Sequence, residues 1–362
     1  MFQLNHLSLT QFRNYARRDF VFTERIVGIC GKNGTGKTNL LDSIYYLSLT
    51  KSYFSRPDAQ NVLRGTEGLR VEGNYAIAGK THKVVFIVRE NNKKELLVND
   101  EQYKKFSDHI GRYPTVMIAP DDIELMIGPS EARRKYLDTL LSQIDAPYLQ
   151  HLIAYNKVLQ QRNSLLKLND NGPIDTTLLE VLNNQLISNG QYIFEKRTEF
   201  LKDFFPLVAN VYKRIAATDD HINLMYESPL QTMPFDVLLA QNFQKDCILQ
   251  RTTKGIHRDD LVFTMDETPF KNEASQGQRK SLLFALKLAE WEVLKTKNGF
   301  TPILLLDDVF EKLDESRMYE LLQWVCTASD GQVFISDTHP QRLEQQLHAI
   351  NTPFQMIELL PL

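Results

Sequence analysis

The chain has 362 residues, and 43% of them are apolar, which is enough for more than one buried core. Its formal net charge is −3, from 42 basic and 45 acidic residues, so any contact with nucleic acid must come from a local cluster of cations. The three cysteines are odd in number and far apart, which is typical of buried thiols in a reducing compartment and not of a disulfide framework.

The first 120 residues predict strands around one loop and one helix. A hairpin is predicted from Leu4 to Phe12 and Asp19 to Phe22. An apolar, β-branched run at 25–30 predicts a buried strand, and segment 39–47 has helical spacing. Three later strands are predicted at 69–77, 83–89 and 115–119.

From about residue 121 the apolar spacing becomes helical. An Asn-Asp-Asn-Gly-Pro segment at 169–173 interrupts it, and a further helical region is predicted from about 176 to 216. After about 250, strands alternate with helices again. We therefore predict an α/β nucleotide-binding head in two parts, with a mostly helical lobe inserted between them. The predicted ranges are 1–120 and 249–362 for the head and 121–248 for the lobe. In the last part, strands are predicted at 261–264, 302–306, 332–335 and 354–359 and a helix at 276–297.

Residues 31–38 match the phosphate-binding pattern G-x-x-x-x-G-K-[ST]. Glycines let backbone N–H groups approach nucleotide phosphates without an intervening Cβ. Lys37 can reach the β- and γ-phosphates, and the Thr38 hydroxyl is a ligand for Mg²⁺. Since a strand precedes the loop and a helix follows it, the sequence predicts binding of a nucleoside triphosphate with Mg²⁺. The predicted contacts are Gly31, Lys32, Asn33, Gly34, Thr35, Gly36, Lys37 and Thr38.

Two adjacent carboxylates, Asp307 and Asp308, follow the apolar strand at 302–306. Such a strand carries Asp307 to the carboxyl edge of a parallel sheet, where it can bind Mg²⁺ directly or through water. Asp308 is then placed to orient or deprotonate the attacking water.

A second motif, Ser275-Gln276-Gly277-Gln278, precedes the predicted helix at 276–297. Ser275 is predicted to cap that helix, and a capped helix is the plain interpretation of the motif. Its position before the two carboxylates also resembles the signature motif of ABC-type ATPases. That resemblance implies that Ser275, Gln276 and Gly277 contact the γ-phosphate of a nucleotide held by the opposite subunit.

Three further features fit the same class. Segment 311–314, Glu-Lys-Leu-Asp, resembles the D-loop that crosses the dimer interface. His339 lies where this class has a histidine that senses the γ-phosphate, although a lone histidine is often an ordinary surface or core residue. Arg13 either reaches the nucleotide from the first hairpin or is an ordinary surface arginine.

Several stretches together resemble the RecF family of DNA replication and repair proteins over essentially the whole chain. These stretches lie at 12–15, 31–41, 120–125, 128–129, 133–134, 137–138, 161–163, 257–261, 275–278 and 304–310. The resemblance implies an ABC-type head, related to the heads of SMC ATPases but lacking their long coiled coil, with a helical second lobe.

For function, the resemblance implies a weak, DNA-stimulated ATPase that forms ATP-dependent homodimers on DNA. It also implies work with RecO and RecR to load recombinase at gaps behind stalled forks and to support the SOS response. The chain departs from the expected patterns at two positions. Asp308 stands where the wider ABC class has Glu, which predicts slow hydrolysis, and Ile256 stands where Pro is expected.

DNA contact is predicted to be sequence-independent and salt-sensitive, because phosphates would supply most of it. Each candidate cation is alternatively a solvated surface charge. The candidates are Lys51, Arg56, Arg64, Arg133, Arg134 and Lys135.

Two rival functions need features that the sequence does not show. The nucleotide-binding subunit of a membrane transporter would carry a compact insertion close before its signature, and a chromosome-organising clamp would carry a hinge and extended heptads. The N-terminal segment lacks a signal peptide pattern, and no run reaches the ~18 apolar residues of a membrane span. The sequence thus predicts a cytoplasmic protein without a membrane partner.

Overall fold

The computed structural model describes residues 1–54, 57–168, 175–216, 220–309, 315–327 and 329–360, with the side chains of 315 and 316 left aside. The chain forms two compact units. The first consists of Met1–Asp122, Val211–Ala217 and Lys280–Leu362, and the second consists of Ile123–Asn210 and Thr218–Arg279.

The first part of the first unit contains eight strands and one α-helix among its described residues. They are β1 (Phe2–Phe12), β2 (Tyr15–Val21), β3 (Ile26–Cys30), α1 (Lys37–Leu49), β4 (Leu69–Ile77), β5 (Lys80–Val88), β6 (Lys94–Val98), β7 (Glu101–Gln102) and β8 (Thr115–Ile118).

The middle of the chain is mainly helical. Its elements are α2 (Glu124–Ile127), α3 (Ser130–Ile144), α4 (Ala146–Lys167), α5 (Thr176–Ala216), β9 (Ile222–Glu227), α6 (Phe235–Gln241), α7 (Phe243–Leu249), β10 (Asp260–Met265), β11 (Thr268–Pro269), α8 (Phe270–Glu273) and α9 (Gln276–Asn298). The last elements are β12 (Ile303–Leu306), α10 (Glu315–Thr327), β13 (Val333–Asp337), α11 (Pro340–Ala349) and β14 (Phe354–Glu358).

Two sheets build the first unit. One is six-stranded, in the order β2-β1-β4-β5-β6-β7, and its neighbours pair antiparallel. The other is five-stranded, in the order β14-β3-β13-β12-β8, and all its pairs are parallel. Every residue of β3, β12 and β13 is buried, as expected for a parallel sheet covered on both faces. The carboxyl ends of these three strands meet at one edge of the sheet.

Apolar side chains of both sheets join one hydrophobic core in the first unit. Helix α1 lies in this core and is buried around most of its circumference, with Leu40, Leu41 and Ile44 fully buried. Burial of a leucine or isoleucine side chain of this kind contributes roughly 1.5–3 kcal/mol. The core thereby fixes the helix whose first residues, Lys37 and Thr38, end the phosphate-binding sequence.

The second unit combines helices with a small antiparallel sheet in the order β11-β10-β9. Two arginines are buried within it with ion-pair partners. Arg162 pairs with Asp246 and Arg197 pairs with Asp259. A buried arginine is tolerated only with such partners, because an unpaired buried charge costs several kcal/mol.

Most predicted elements are confirmed, including the first hairpin, the strand at 69–77 and the helical region at 176–216, which is one continuous helix. The sequence analysis missed β6 and β9, whose charged and polar residues mask the strand pattern. The compact units also differ from the predicted ranges, since residues 249–279 belong to the second unit. Pairing of β10 with β9 holds this segment there.

Within the described ranges, no helix combines the length and the hydropathy that a bilayer crossing requires.

Candidate nucleotide site

The phosphate-binding sequence connects the end of β3 to the start of α1. Gly36 precedes the helix with φ 104°, in the left-handed region that favours glycine. A Cβ at this position would lie 2.6 Å from Nδ2 of Asn14 and 2.7 Å from the hydroxyl of Tyr15. The carbonyl of Gly36 accepts a hydrogen bond of 3.0 Å from that hydroxyl. Asn14 and Tyr15 therefore pack against the turn and fix it, and the N–H groups at the helix start can face an anion.

Lys37 lies inside the curve of the loop. Its ammonium donates to the carbonyl of Gly31 at 2.8 Å and to that of Lys32 at 3.3 Å, and the residue is only 4% exposed. The carbonyl of Lys32 also accepts from the hydroxyl of Thr35 at 2.9 Å. These contacts place one mobile positive charge within the loop, as binding of a polyphosphate requires.

Thr38 and Asp307 meet at the carboxyl edge of the parallel sheet. The Thr38 hydroxyl donates to Oδ1 of Asp307 at 3.1 Å, and the hydroxyl of Ser336 donates to the same oxygen at 2.7 Å. Asp307 is 2% exposed, and burial raises the pKa of its carboxyl to about 6, although the two hydroxyl donors act in the opposite direction. A buried carboxylate beside a hydroxyl forms an oxygen pair that suits a small divalent cation.

Asp308 follows in a strained conformation, with φ 45°. Its backbone N–H donates to the hydroxyl of Ser336 at 2.9 Å, so one serine holds both acids of the pair. The side chain of Asp308 is half-buried, and the residue directly follows Asp307, which contacts Thr38. Strained backbone of this kind persists where surrounding contacts impose it, and it clusters at functional sites.

Arg13 does not match the alternative of an ordinary surface arginine. Its side chain is 7% exposed and forms an ion pair of 2.5 Å with Asp42 of α1, whose side chain is fully buried. The guanidinium also donates to Oδ1 of Asn39 at 2.8 Å. Asn39 in turn donates to Asn14 at 2.8 Å. The structure therefore places Arg13 against the first turns of α1, and its contact with a nucleotide stays a prediction.

His339 lies just beyond β13 and is exposed. Its backbone N–H donates to Oδ1 of Asp337 at 3.0 Å, and Asp337 also pairs with Arg342 at 2.6 Å. The buried Asp337 thus fixes the backbone that presents His339 at the same sheet edge as Asp307. The role of His339 as a γ-phosphate sensor stays a prediction.

The signature-like segment lies at the start of α9, in the second unit. Ser275 and Gln278 form a reciprocal capping box: the Ser275 hydroxyl accepts from the N–H of Gln278 at 3.2 Å, and the Gln278 side chain accepts from the N–H of Ser275 at 2.9 Å. The predicted helix cap is therefore confirmed. Ser275 and Gln276 are exposed, and Gly277 is half-buried. Segment 311–314, the predicted D-loop, lies outside the described residues.

Two of the predicted DNA contacts are engaged inside the second unit. Arg133 forms two hydrogen bonds with the carboxylate of Asp260, at 2.7 and 2.9 Å, and Arg134 donates to the carbonyl of Asp259 at 2.7 Å. Burial also lowers the pKa of Arg134. These arginines hold the start of strand β10, which does not match the alternative of solvated surface charges, and their contact with DNA stays a prediction.

The other candidates have different settings. Lys51, Arg64 and Lys135 are exposed, and Arg56 lies outside the described residues. Sequence analysis missed the residues that position the site, chiefly Ser336 and Asp42. Ser336 lies inside a buried strand and Asp42 inside an apolar helix. Both positions could have been recognised from the sequence, because a buried hydroxyl or carboxylate needs a hydrogen-bonding or charged partner.

Comparison with known proteins places this geometry in context. The family model of the RecF/RecN/SMC N-terminal domain matches residues 3–356. The DNA replication and repair protein RecF of Flavobacterium johnsoniae is 43% identical over 357 residues, which make up 98% of this chain and 99% of that protein. The protein of the same name from Parabacteroides distasonis is 39% identical over 356 residues, 98% of this chain and 97% of that protein.

Solved structures give the same result. A structure described as the recombination mediator protein RecF-ATP in the RecFOR pathway has a TM-score of 0.86 and 29% identity, and the match covers 93% of this chain and 92% of that one. The Smc head domain of Pyrococcus furiosus has a TM-score of 0.56 and 14% identity, covering 99% and 94%, which is a likeness of fold alone. These likenesses confirm the predicted α/β fold of an ABC-type ATPase head with a helical lobe.

Proposed function

The chain belongs to the RecF family of DNA replication and repair proteins, and on this basis we propose that it is an ATP-dependent DNA-binding protein of recombinational gap repair and replication-fork maintenance. ATP binding is proposed to join two copies on DNA, and slow hydrolysis to release them. The proposed division of labour assigns nucleotide binding to the head and DNA contact chiefly to the lobe.

One observation carries the nucleotide part of this proposal. The ammonium of Lys37 lies inside the loop, and the Thr38 hydroxyl contacts Asp307 at 3.1 Å, at the edge where the buried parallel strands end. Ligands of open α/β sheets bind at this edge. The residues present fit both ATP and Mg²⁺: the loop offers N–H donors and one cation, and Thr38 with Asp307 offers hard oxygen ligands.

Each side chain then has a defined task. Lys37 leaves the carbonyls of Gly31 and Lys32 to pair with the β- and γ-phosphates. Thr38 and Asp307 would hold Mg²⁺, which neutralises charge on the phosphates when it is bound. Asp308 orients the attacking water and receives its proton. Because Asp308 is one methylene shorter than the usual Glu of the ABC class, we expect this water to be held less well and hydrolysis to be slow.

Dimerisation is proposed to complete the site in trans. Ser275, Gln276 and Gly277 would contact the γ-phosphate held by a second copy, while His339 would sense the same group from within its own head. The exposure of Ser275 and its fixed capping geometry support this role. Loss of the γ-phosphate on hydrolysis would remove these contacts and separate the copies.

DNA binding is proposed to rely on phosphate contacts and to be independent of sequence. RecO and RecR are the proposed protein partners, in recombinase loading and in support of the SOS response. The proposed location is the cytoplasm.

Size-exclusion chromatography with light scattering tests the proposal. We expect monomers without nucleotide or with ADP, dimers with ATP and Mg²⁺, and ATP-dependent co-sedimentation with duplex DNA that weakens as salt rises. A protein that stays monomeric at saturating ATP and binds DNA equally well with ATP and ADP would exclude this mechanism.

A further inference from the structure

Four cations surround one recess in the second unit. In the amino-acid sequence they lie far from the phosphate-binding segment at 31–38. They are Lys245 on α7, Arg251 and Lys254 on the loop that follows it, and Arg258 in the turn at 256–258. The recess has a volume of about 410 Å³. Three of these side chains are exposed and that of Lys254 is half-buried, so their charges reach the recess while keeping contact with solvent.

None of these four side chains has a carboxylate partner in the part of the chain that the structure describes, and no acidic residue of that part lines the recess. The contrast with Arg133 is clear, because its guanidinium is fully engaged by Asp260. In a protein with a net charge of −3, four cations around one concavity, none with a carboxylate partner among the described residues, form a local positive field.

An ion pair and hydrogen bonds of buried polar groups fix the loop that carries these cations. Asp246, which is fully buried, pairs with Arg162 at 2.8 Å. Its other oxygen accepts from the N–H of Thr253 at 2.9 Å and from the Thr253 hydroxyl at 2.6 Å. An ion pair with no exposed surface and further hydrogen bonds rigidifies its surroundings, because each partner is costly to leave unpaired.

A second set of bonds fixes the next residues of the loop. Oδ1 of Asn163 accepts from the N–H and the hydroxyl of Thr252, at 2.7 and 2.8 Å. Nε2 of His257 lies 3.0 Å from the carbonyl of Thr252, and Nδ1 of His257 lies 2.7 Å from the hydroxyl of Tyr155. The chain between Asp246 and His257 is thus pre-organised, and its cations need little ordering on binding a ligand.

We infer that this recess binds the phosphate backbone of DNA, with Arg251 and Lys254 as its central contacts. The inference rests on the proposed DNA-binding function and deepens it by locating the contact. Arginine presents a planar fork that matches phosphate oxygens, and lysine adds a point charge. Five of the seven described lining residues end in a polar or charged group, and four of these are cations, which favours a phosphate chain over the apolar surface of a protein partner.

The test is a titration of labelled duplex DNA at saturating ATP over a series of salt concentrations, for wild type and for R251Q/K254Q. The slope of log Kd against log salt concentration should fall by about 0.9 for each DNA phosphate that is no longer neutralised, hence by about 1.8 for the double variant. Its Kd at moderate salt should rise about tenfold or more. ATP affinity, ATP-dependent dimerisation and the thermal midpoint should stay at wild-type values.

A matched control changes the same number of charges elsewhere in the second unit. K157Q/K202Q neutralises two exposed lysines that do not line the recess, and its Kd and salt slope should stay within twofold of wild type. Equally weakened DNA binding in both double variants would overturn the inference, since overall charge would then explain the effect. Normal DNA binding by R251Q/K254Q would overturn it too, and weaker binding of an acidic partner protein instead would reassign the recess. Wild-type protein that fails to bind duplex DNA would remove the proposed function itself.

Discussion

The hydroxyl of Thr38 donates a hydrogen bond to Oδ1 of Asp307 across 269 residues of sequence, at 3.1 Å. This contact joins the end of the phosphate-binding sequence to the end of β12 and defines the place where a divalent cation would be bound. The carboxyl of Asp307 is buried there and has a raised pKa, because its negative charge is partly removed from water. That charge destabilises the folded protein when no cation is bound, and a bound metal ion would compensate it.

Asp307→Asn is expected to stabilise the metal-free protein above pH 6 by about 1–3 kcal/mol while abolishing Mg²⁺-dependent hydrolysis. The pKa of Asp307 is raised from 3.8 to about 6, so the folded state binds more protons than the unfolded state between these values. The contribution of Asp307 to wild-type stability should therefore fall as pH rises through this window, and the variant should lack that contribution. Asn can still accept from Thr38 and Ser336.

Urea unfolding at pH 4 and pH 7.5, without nucleotide or metal, measures the difference. Ser336→Ala serves as a control, because it removes a donor to Asp307 without removing the carboxyl. An Asp307→Asn protein that is less stable than wild type at both pH values would refute the expectation.

Asp308→Asn is expected to form ATP-dependent dimers that persist, with hydrolysis reduced by at least about a hundredfold. Asparagine tolerates the left-handed conformation at φ 45°, so the substitution removes the acid without adding strain.

Lys37→Ala and Ser275→Arg should form no dimers. Gln278→Ala is the control for Ser275→Arg, because it breaks the capping box but keeps the serine hydroxyl. Light scattering at saturating ATP checks all four, and dimers of Ser275→Arg would contradict the trans site.

Gly36→Ala and Gly34→Ala separate backbone strain from steric conflict. Both glycines have positive φ, 104° and 84°, but a Cβ at Gly36 meets Asn14 and Tyr15 within 2.7 Å whereas a Cβ at Gly34 meets nothing within 4 Å. We expect Gly36→Ala to lose ATP binding and about 2–4 kcal/mol of stability, and Gly34→Ala to lose only about 1 kcal/mol. Calorimetry with ATP and thermal unfolding give both quantities; equal effects would refute the steric argument.

Arg13→Gln should destabilise the protein by about 3–5 kcal/mol, because it leaves the fully buried Asp42 without its partner. The double variant Arg13→Gln with Asp42→Asn should recover much of that loss. Urea unfolding of the four proteins in this cycle gives the coupling energy. If the double variant regains stability and still binds ATP weakly, Arg13 contacts the nucleotide; additive destabilisation would show that the ion pair carries no coupling.

The contribution of His257 to stability should fall as pH drops from 6.5 to 4. Burial lowers the pKa of His257 from 6.5 to about 4, so the unfolded state binds more protons in this window. This pKa difference corresponds to roughly 3 kcal/mol of stability, which is present at pH 7 and is lost as pH falls below the folded pKa. Tyr155→Phe removes the hydroxyl beside Nδ1, and it should raise this pKa and flatten the pH dependence. An NMR titration of the His257 ring measures it; an unchanged pKa would exclude a role for that bond.

Features that depend on local rules could be predicted from the amino-acid sequence alone. Glycine spacing and the flanking periodicities identified the loop at 31–38, an apolar run identified the strand that ends at Asp307, and Ser275 identified a helix start. These follow from conformational preferences and hydrogen bonds within a few residues, so the structure reproduces them.

The partner of each charge, in contrast, follows only from the folded chain. Arg133 and Arg134 have the sequence pattern of free cations, yet Asp260 and the carbonyl of Asp259 hold them. Arg251 and Lys254 carry no sequence signal, yet they line a recess without an acidic residue among its described lining. The sequence determines which residues are charged, but packing between segments far apart in the chain determines which partner each charge has. Burial gives the partner its energetic weight, because a charge removed from water needs an opposite charge or hydrogen bonds, whereas an exposed cation is stabilised by water.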